Sequence, residues 1–190
     1  HLDGRSEPAV PRDDPSRGAD PARNPDLLLV RAIIEEAVRA YGVDRRRVYV
    51  AGHSNGAFFA LHVAVTIRAQ IAAFAESAGG LVLCDDTSDC GFTGVGTTCE
   101  ALATEAGACS CVGSEKPVAL PTSGRMPPGY LSHSNDDGTV SVAYTCALWA
   151  RMSELGHEAS VNIADAAGGH VIVDGFAADA WAFFETRTSP

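Results

Sequence analysis

The run RVYVAGHSNGAFFALHVA, Arg47 to Ala64, restricts the fold of this chain more than any other stretch. Apolar residues of strand character enter Gly52-His53-Ser54-Asn55-Gly56 and leave as an alanine- and aromatic-rich segment of helical character. A strand that becomes a helix at a serine, with a glycine two residues away on each side, matches the elbow pattern G-x-S-x-G. The serine of such an elbow takes a strained backbone conformation that lifts its hydroxyl above the sheet. Side chains at Gly52 and Gly56 are expected to collide where strand and helix pass, which accounts for both glycines. The helix that starts at the serine aims its positive end at the same point, so the backbone N–H of Asn55 is the expected oxyanion donor. A turn rich in serine and glycine would show the same five residues. It would not require a strand before them and a helix after.

The rest of the chain supplies a frame for that elbow. Asn24 and Pro25 are the cap and first residue of a helix in which Leu27, Val30, Ile34, Ala37 or Val38, and Tyr41 recur at helical spacing, and Gly42 closes it. Strands are expected over Arg47–Ala51, Ile71–Ser77, Pro127–Ser134 and in EASVNIADA, with the elbow helix reaching about Arg68. Val142–Leu155 reads as a helix with Val142, Cys146, Trp149 and Met152 on one stripe. GFAADAWAFFE reads as another, with Phe176, Ala180, Trp181 and Phe184 on one side. Helix and strand alternate, which predicts a mostly parallel sheet covered by helices. No repeat or interdomain linker interrupts the pattern, so residues 1–190 are expected to form a single α/β domain. Its first 23 residues, with Pro8, Pro11, Pro15 and Pro21, should be irregular.

Charge and cysteine placement narrow the setting. A net charge of −10 argues against a nucleic-acid backbone or an anionic membrane surface as partner. No apolar run is long enough to span a bilayer. A chain that starts at His1 without a leader reads as a processed secreted protein or as a fragment. Cys84, Cys90, Cys99, Cys109 and Cys111 lie close together in a segment rich in Gly, Thr, Ser and Asp, and Cys146 stands apart. A segment of that composition buries no core of its own, so disulfides are expected to order the 84–111 insertion. Zinc is the lesser reading, because Cys109-Ser-Cys111 lacks the knuckle spacing and no histidine follows at a finger interval. Six cysteines allow 15 pairings, and spacing selects none of them.

A serine hydroxyl needs a base to take its proton and a carboxylate to orient that base. In elbow hydrolases the chain order is serine, acid, histidine, with the acid and the histidine after later strands. Behind Ser54 come LSHSNDDGTV and then ADAAGGHVIV. His170, preceded by Gly168 and Gly169, is the expected base, and Asp136 or Asp137 the acid. His53, His62, His133 and His157 fit less well and read as structural or surface residues.

VDRRRVYVAGHSNG, HSNDDGTV and GGHVIV together resemble the secreted esterases that group polyhydroxyalkanoate depolymerases with feruloyl esterases. That family carries a D-x-x-R-V-Y-V-x-G-H-S-N-G elbow, an H-G-x-x-D-x-x-V acid turn and a G-G-H histidine loop. The resemblance runs from about Asn24 to Glu185 and implies Ser54 as nucleophile, Asp137 (with Val140 three residues later) as acid, and His170 as base. It implies an α/β-hydrolase fold and an extracellular carboxylic-ester hydrolase of the EC 3.1.1 type with no metal or organic cofactor. The implied substrates are polyesters, polyhydroxyalkanoates first and aromatic polyesters such as PET by extension, or aryl esters such as feruloylated polysaccharides.

This chain departs from the family at Ala57 and Ser134, where glycine is usual, and in the 84–111 insertion, which reads equally as a lid over the site or a stabilising surface loop. It also departs at the front. The family has strands before the first helix, one of them leading to the second oxyanion donor, and no such strands are legible here. An N-terminally shortened sheet would leave the elbow strand as an exposed apolar edge, completed by a second copy or by a missing N-terminal segment. One missing oxyanion donor costs about 2.7–4 kcal/mol. The rival readings are therefore a weak or inactive hydrolase remnant that binds a polymer or partner and, nearer to the first, a serine peptidase of the same fold.

Overall fold

The computed structural model describes residues 24–81, 99 and 120–190. The expectations for the N-terminal 23 residues, and for the cysteine-rich insertion apart from Cys99, lie outside the described residues.

Helix α1, Pro25–Tyr41, begins and ends where its local chemistry directs. The Asn24 side chain accepts hydrogen bonds from the N–H groups of Asp26 and Leu27, and Gly42 closes the helix at φ 67°. Strand β1, Tyr49–His53, leads into α2, Asn55–Thr66. Strand β2, Ala73–Ser77, follows, then β3, Gly129–Ser134, helix α3, Val142–Glu154, β4, Ala159–Ala164, and α4, Phe176–Glu185. The four strands form one parallel sheet in the order β1-β2-β3-β4. Every residue of β2 and β3 is buried, as central strands covered on both faces require.

On one face Phe74 and Leu131 pack with Leu61 and Ala64 of α2 and with Leu148 and Met152 of α3. On the other, Ala73, Ala75 and Tyr130 pack with Phe176, Ala180, Phe183 and Phe184 of α4. Helix α1 lays Leu27 and Ile34 against Val63, Ile67 and Ile71. Cys99 and Cys146 are joined by a disulfide and buried beside Val142, which fixes one of the pairings that spacing left open.

The structure corrects two details. Trp181 is 59% exposed, and the buried stripe of α4 is completed by Phe183 instead. Position 181 lies one residue, about 100° of turn, beyond Ala180, whereas 183 falls back onto the face set by Phe176 and Ala180. Strand β1 is shifted two residues toward the elbow, because its pairing with β2 continues to His53 opposite Ser77. Among the described residues no strand pairs with β1 on the side away from β2, so within them the strand that carries the elbow is the outermost.

Candidate active site

The elbow is built by the close passage of β1 and α2. Ser54 sits between them at φ 55° and ψ −125°, a conformation that costs a non-glycine residue on the order of 1–3 kcal/mol. The backbone around it holds that strain. Ser54 N–H donates to Ser77 O at 2.9 Å, and Ser54 O accepts from the N–H groups of Ala57 and Phe58. Its hydroxyl makes no capping bond to α2 and is left for another partner. Asn55, the first residue of α2, has its N–H in the unpaired first turn, beside that hydroxyl.

Only one of the two elbow glycines behaves as the pattern suggests. A Cβ on Gly52 would lie 2.0 Å from Gly56 O and 2.2 Å from Gly56 C, so no side chain fits there. A Cβ on Gly56 would meet nothing within 4 Å. Gly56 contributes backbone to the crossing, and its own Cβ direction points into open space.

The ends of β3 and β4 bring up the other two groups. His170 Nε2 is 2.9 Å from Ser54 Oγ, and His170 Nδ1 is 2.7 Å from Asp137 Oδ2. Asp137 is ordered by its own turn, where Oδ1 accepts the N–H groups of Thr139 and Val140 at 2.8 and 3.0 Å. Burial alone would push this carboxyl up. The bonds from His170, Val140 and Thr139, with His133 nearby, outweigh burial and hold it below the usual aspartate value. Asp137 is thus an anion at neutral pH, which puts the His170 proton on Nδ1 and leaves Nε2 to accept from the serine hydroxyl.

Asp136, the other acid that the residues left open, is bonded to groups other than the His170 ring. It accepts from Ser134 Oγ and, at 3.3 Å, from Gly168 N–H, and these bonds lower its pKa. Ser134 Oγ also accepts Ala167 N–H at 3.0 Å. Asn135 ties the same two turns together, accepting Ala166 N–H and donating to Asp165. These cross-links, with Gly168 and Gly169 at positive φ, set the loop from which His170 reaches back.

The remaining histidines divide. His157 is bonded through Nε2 to Pro121 O, a structural contact. The His53 ring lies 4.9 Å from the His170 ring and contacts Ser77 Oγ at 3.4 Å, so it borders the site. His133 is fully buried, as a structural residue would be, but its Nε2 also lies 3.2 Å from Asp137 Oδ2. Sequence reasoning passed over that contact, although His133 and Asp137 are spaced as neighbours on one turn. It also passed over Glu76, whose buried carboxyl lies on β2 opposite Gly52. Among the described residues no cluster of histidine, cysteine and carboxylate side chains is arranged to hold a metal ion.

No family model matches the chain, and neither does any curated protein. Solved structures do. Esterase PE8 is similar at 20% identity and a TM-score of 0.55, over 93% of this chain and 66% of that one. Arabidopsis thaliana SOBER1 is similar at 16% identity and a TM-score of 0.53, over 88% and 65%. MGS-M1, an alpha/beta hydrolase enzyme from a Medee basin deep-sea metagenome library, is similar at 12% identity and a TM-score of 0.53, over 78% and 51%. The chain therefore spans no more than 66% of the length of these structures. At such identities the likeness is one of architecture, and the parallel sheet flanked by helices is an α/β-hydrolase fold.

Proposed function

We propose that this chain is a serine carboxylic-ester hydrolase working through Ser54, His170 and Asp137. One observation carries the reading: Ser54 Oγ, His170 and Asp137 form a continuous hydrogen-bonded chain with contacts of 2.9 and 2.7 Å. As the hydroxyl attacks the ester carbonyl, its proton passes to His170 Nε2, and Asp137 stabilises the imidazolium through Nδ1–H. The carbonyl oxygen becomes an oxyanion beside the Asn55 N–H at the positive end of α2. His170 then returns the proton to the leaving alcohol, and the acyl group stays on Ser54 until water, activated by the same histidine, releases the acid.

The finer reading is a secreted enzyme that acts on polyesters or on aryl and feruloyl esters without a cofactor. The three motifs shared with the polyhydroxyalkanoate depolymerase and feruloyl esterase family support it, as do the esterases among the similar structures. The remnant reading keeps one specific support, the position of β1 as the outermost strand among the described residues.

The test is hydrolysis of p-nitrophenyl butyrate by the 190-residue chain beside Ser54→Ala and His170→Ala, with fluorophosphonate labelling of Ser54 in parallel. Each variant is expected to lose roughly 10³-fold or more of kcat. A folded chain that neither turns over the ester nor takes the label would sink the esterase reading in favour of the remnant.

A further inference from the structure

Asp137 is met by two histidines. His170 approaches Oδ2 from the loop after β4, at 2.7 Å, and His133 approaches the same oxygen from the end of β3, at 3.2 Å. His133 Nε2 also lies 3.0 Å from Val140 O. A carbonyl only accepts, so Nε2 carries a hydrogen, which is shared between that carbonyl and the carboxylate. On the other side of the ring, Nδ1 lies 2.7 Å from Thr145 Oγ1 of α3, and Thr145 Oγ1 lies 2.8 Å from Gly79 O. If the threonine hydrogen goes to Gly79, Nδ1 must donate as well and His133 is a cation. If it goes to Nδ1, His133 is neutral. In both arrangements the Nε2 hydrogen faces Asp137.

We propose that His133 is a positioning residue for the acid: its Nε2–H restrains Asp137 Oδ2 against His170 and withdraws negative charge from it, limiting how strongly His170 holds a proton. The catalytic consequence rests on the esterase reading above, and the contact does not. Oδ1 is already saturated by two backbone N–H groups, so the charge of Asp137 is expressed mainly at Oδ2, where His133 and His170 share it. The groups facing His133 come from each surrounding element. Asp137 lies in the turn after β3, His170 in the loop after β4, and the Thr145 hydroxyl on α3. Glu76 shares its face of the sheet from β2, where burial keeps that carboxyl protonated at neutral pH. The path Gly79–Thr145–His133–Asp137–His170–Ser54 therefore links the chain just after β2 to the nucleophile.

Two near-isosteric substitutions separate positioning from simple packing. In His133→Asn the amide reaches the Nδ1 position and keeps the Thr145 side, but loses Asp137. In His133→Gln the amide nitrogen reaches the Nε2 position and keeps it. We would follow the His170 imidazole by NMR across pH, and the acid limb of kcat/KM for p-nitrophenyl butyrate beside it. The His170 pKa is expected to rise by about half a unit to one unit in His133→Asn and to stay at the wild-type value in His133→Gln. The acid limb should move with it. Thr145→Val, which frees the ring from its anchor, is expected to give a smaller rise and serves if the asparagine variant does not fold. A folded His133→Asn in which His170 titrates as in wild type or lower overturns the proposal, as does a glutamine variant that shifts as far as asparagine. The NMR titration needs no turnover. A wild-type chain without hydrolysis but with the expected NMR pattern would sink the esterase reading and leave the positioning role of His133 standing.

Discussion

Glu76 lies on β2 between Ala75 and Ser77, fully buried, and neither carboxyl oxygen has a hydrogen-bond partner among the described residues. Burial without compensation pushes its pKa from 4.5 to about 8. In the unfolded chain the group ionises near 4.5, while in the folded chain it keeps its proton to about 8. Between those values the folded state binds one proton more than the unfolded state, so stability falls as pH rises through that window. The loss amounts to about 5 kcal/mol once pH exceeds the folded pKa. Glu76→Gln removes the titration at similar shape. Its urea-unfolding stability is expected to change much less than wild type between pH 5 and pH 8.5. Parallel pH slopes for the two proteins would show that the carboxyl is stabilised by something other than its proton. The sequence held a signal for this residue that spacing alone does not read. A strand in the middle of a parallel sheet is covered on both faces, so a glutamate on it has no wet side to turn to.

At the scale of the element, legibility follows how local the controlling interaction is. Helix α1 was readable to the residue because Asn24 and Gly42, its caps, lie inside the sequence window that they terminate. The limits of β1 were displaced because they are set by pairing with β2, a partner more than twenty residues away. The paired glycines of the elbow looked equivalent for a similar reason, since only the assembled crossing shows which Cβ would strike backbone. Gly52→Ala is expected to cost about 3 kcal/mol or more, because the methyl would sit 2.0 Å from Gly56 O and 2.2 Å from Gly56 C, backbone atoms that cannot swing aside as a flexible side chain would. Gly56→Ala should be neutral or stabilising by up to about 1 kcal/mol, since its Cβ meets nothing and alanine is the better helix former. Urea midpoints of the two variants check the pair. Equal destabilisation at both positions would contradict the one-sided crossing described here.

At the scale of the molecule, the three groups of the candidate site come from the ends of β1, β3 and β4, and a parallel sheet puts all such ends on one side. Chain order was therefore enough to nominate Ser54 and His170. The choice between Asp136 and Asp137 was not available from chain order, because adjacent residues of a turn point in different directions; the family resemblance favoured Asp137, and the folded turn places that carboxylate against the imidazole. Among the described residues one side of the elbow strand has no partner strand. Val48 O accepts from Ala72 N–H and Ser54 N–H donates to Ser77 O, so alternate residues of β1 turn toward β2. Tyr49, Ala51 and His53 then turn their N–H and C=O groups outward, with Ala51 exposed. Leu28, Leu29 and Ile33 of α1 are 46–59% exposed as well. An edge of this kind, with no charge on its outward residues, is a template for another strand. The chain is expected to self-associate through β1, with its mean mass in sedimentation velocity rising with concentration. Ala51→Lys places a charge in the middle of the edge and should return it to monomer without changing its far-UV circular dichroism. A wild-type chain that sediments as a monomer at every concentration would exclude self-pairing. Association that survives Ala51→Lys would move the contact from the strand to the exposed leucines of α1.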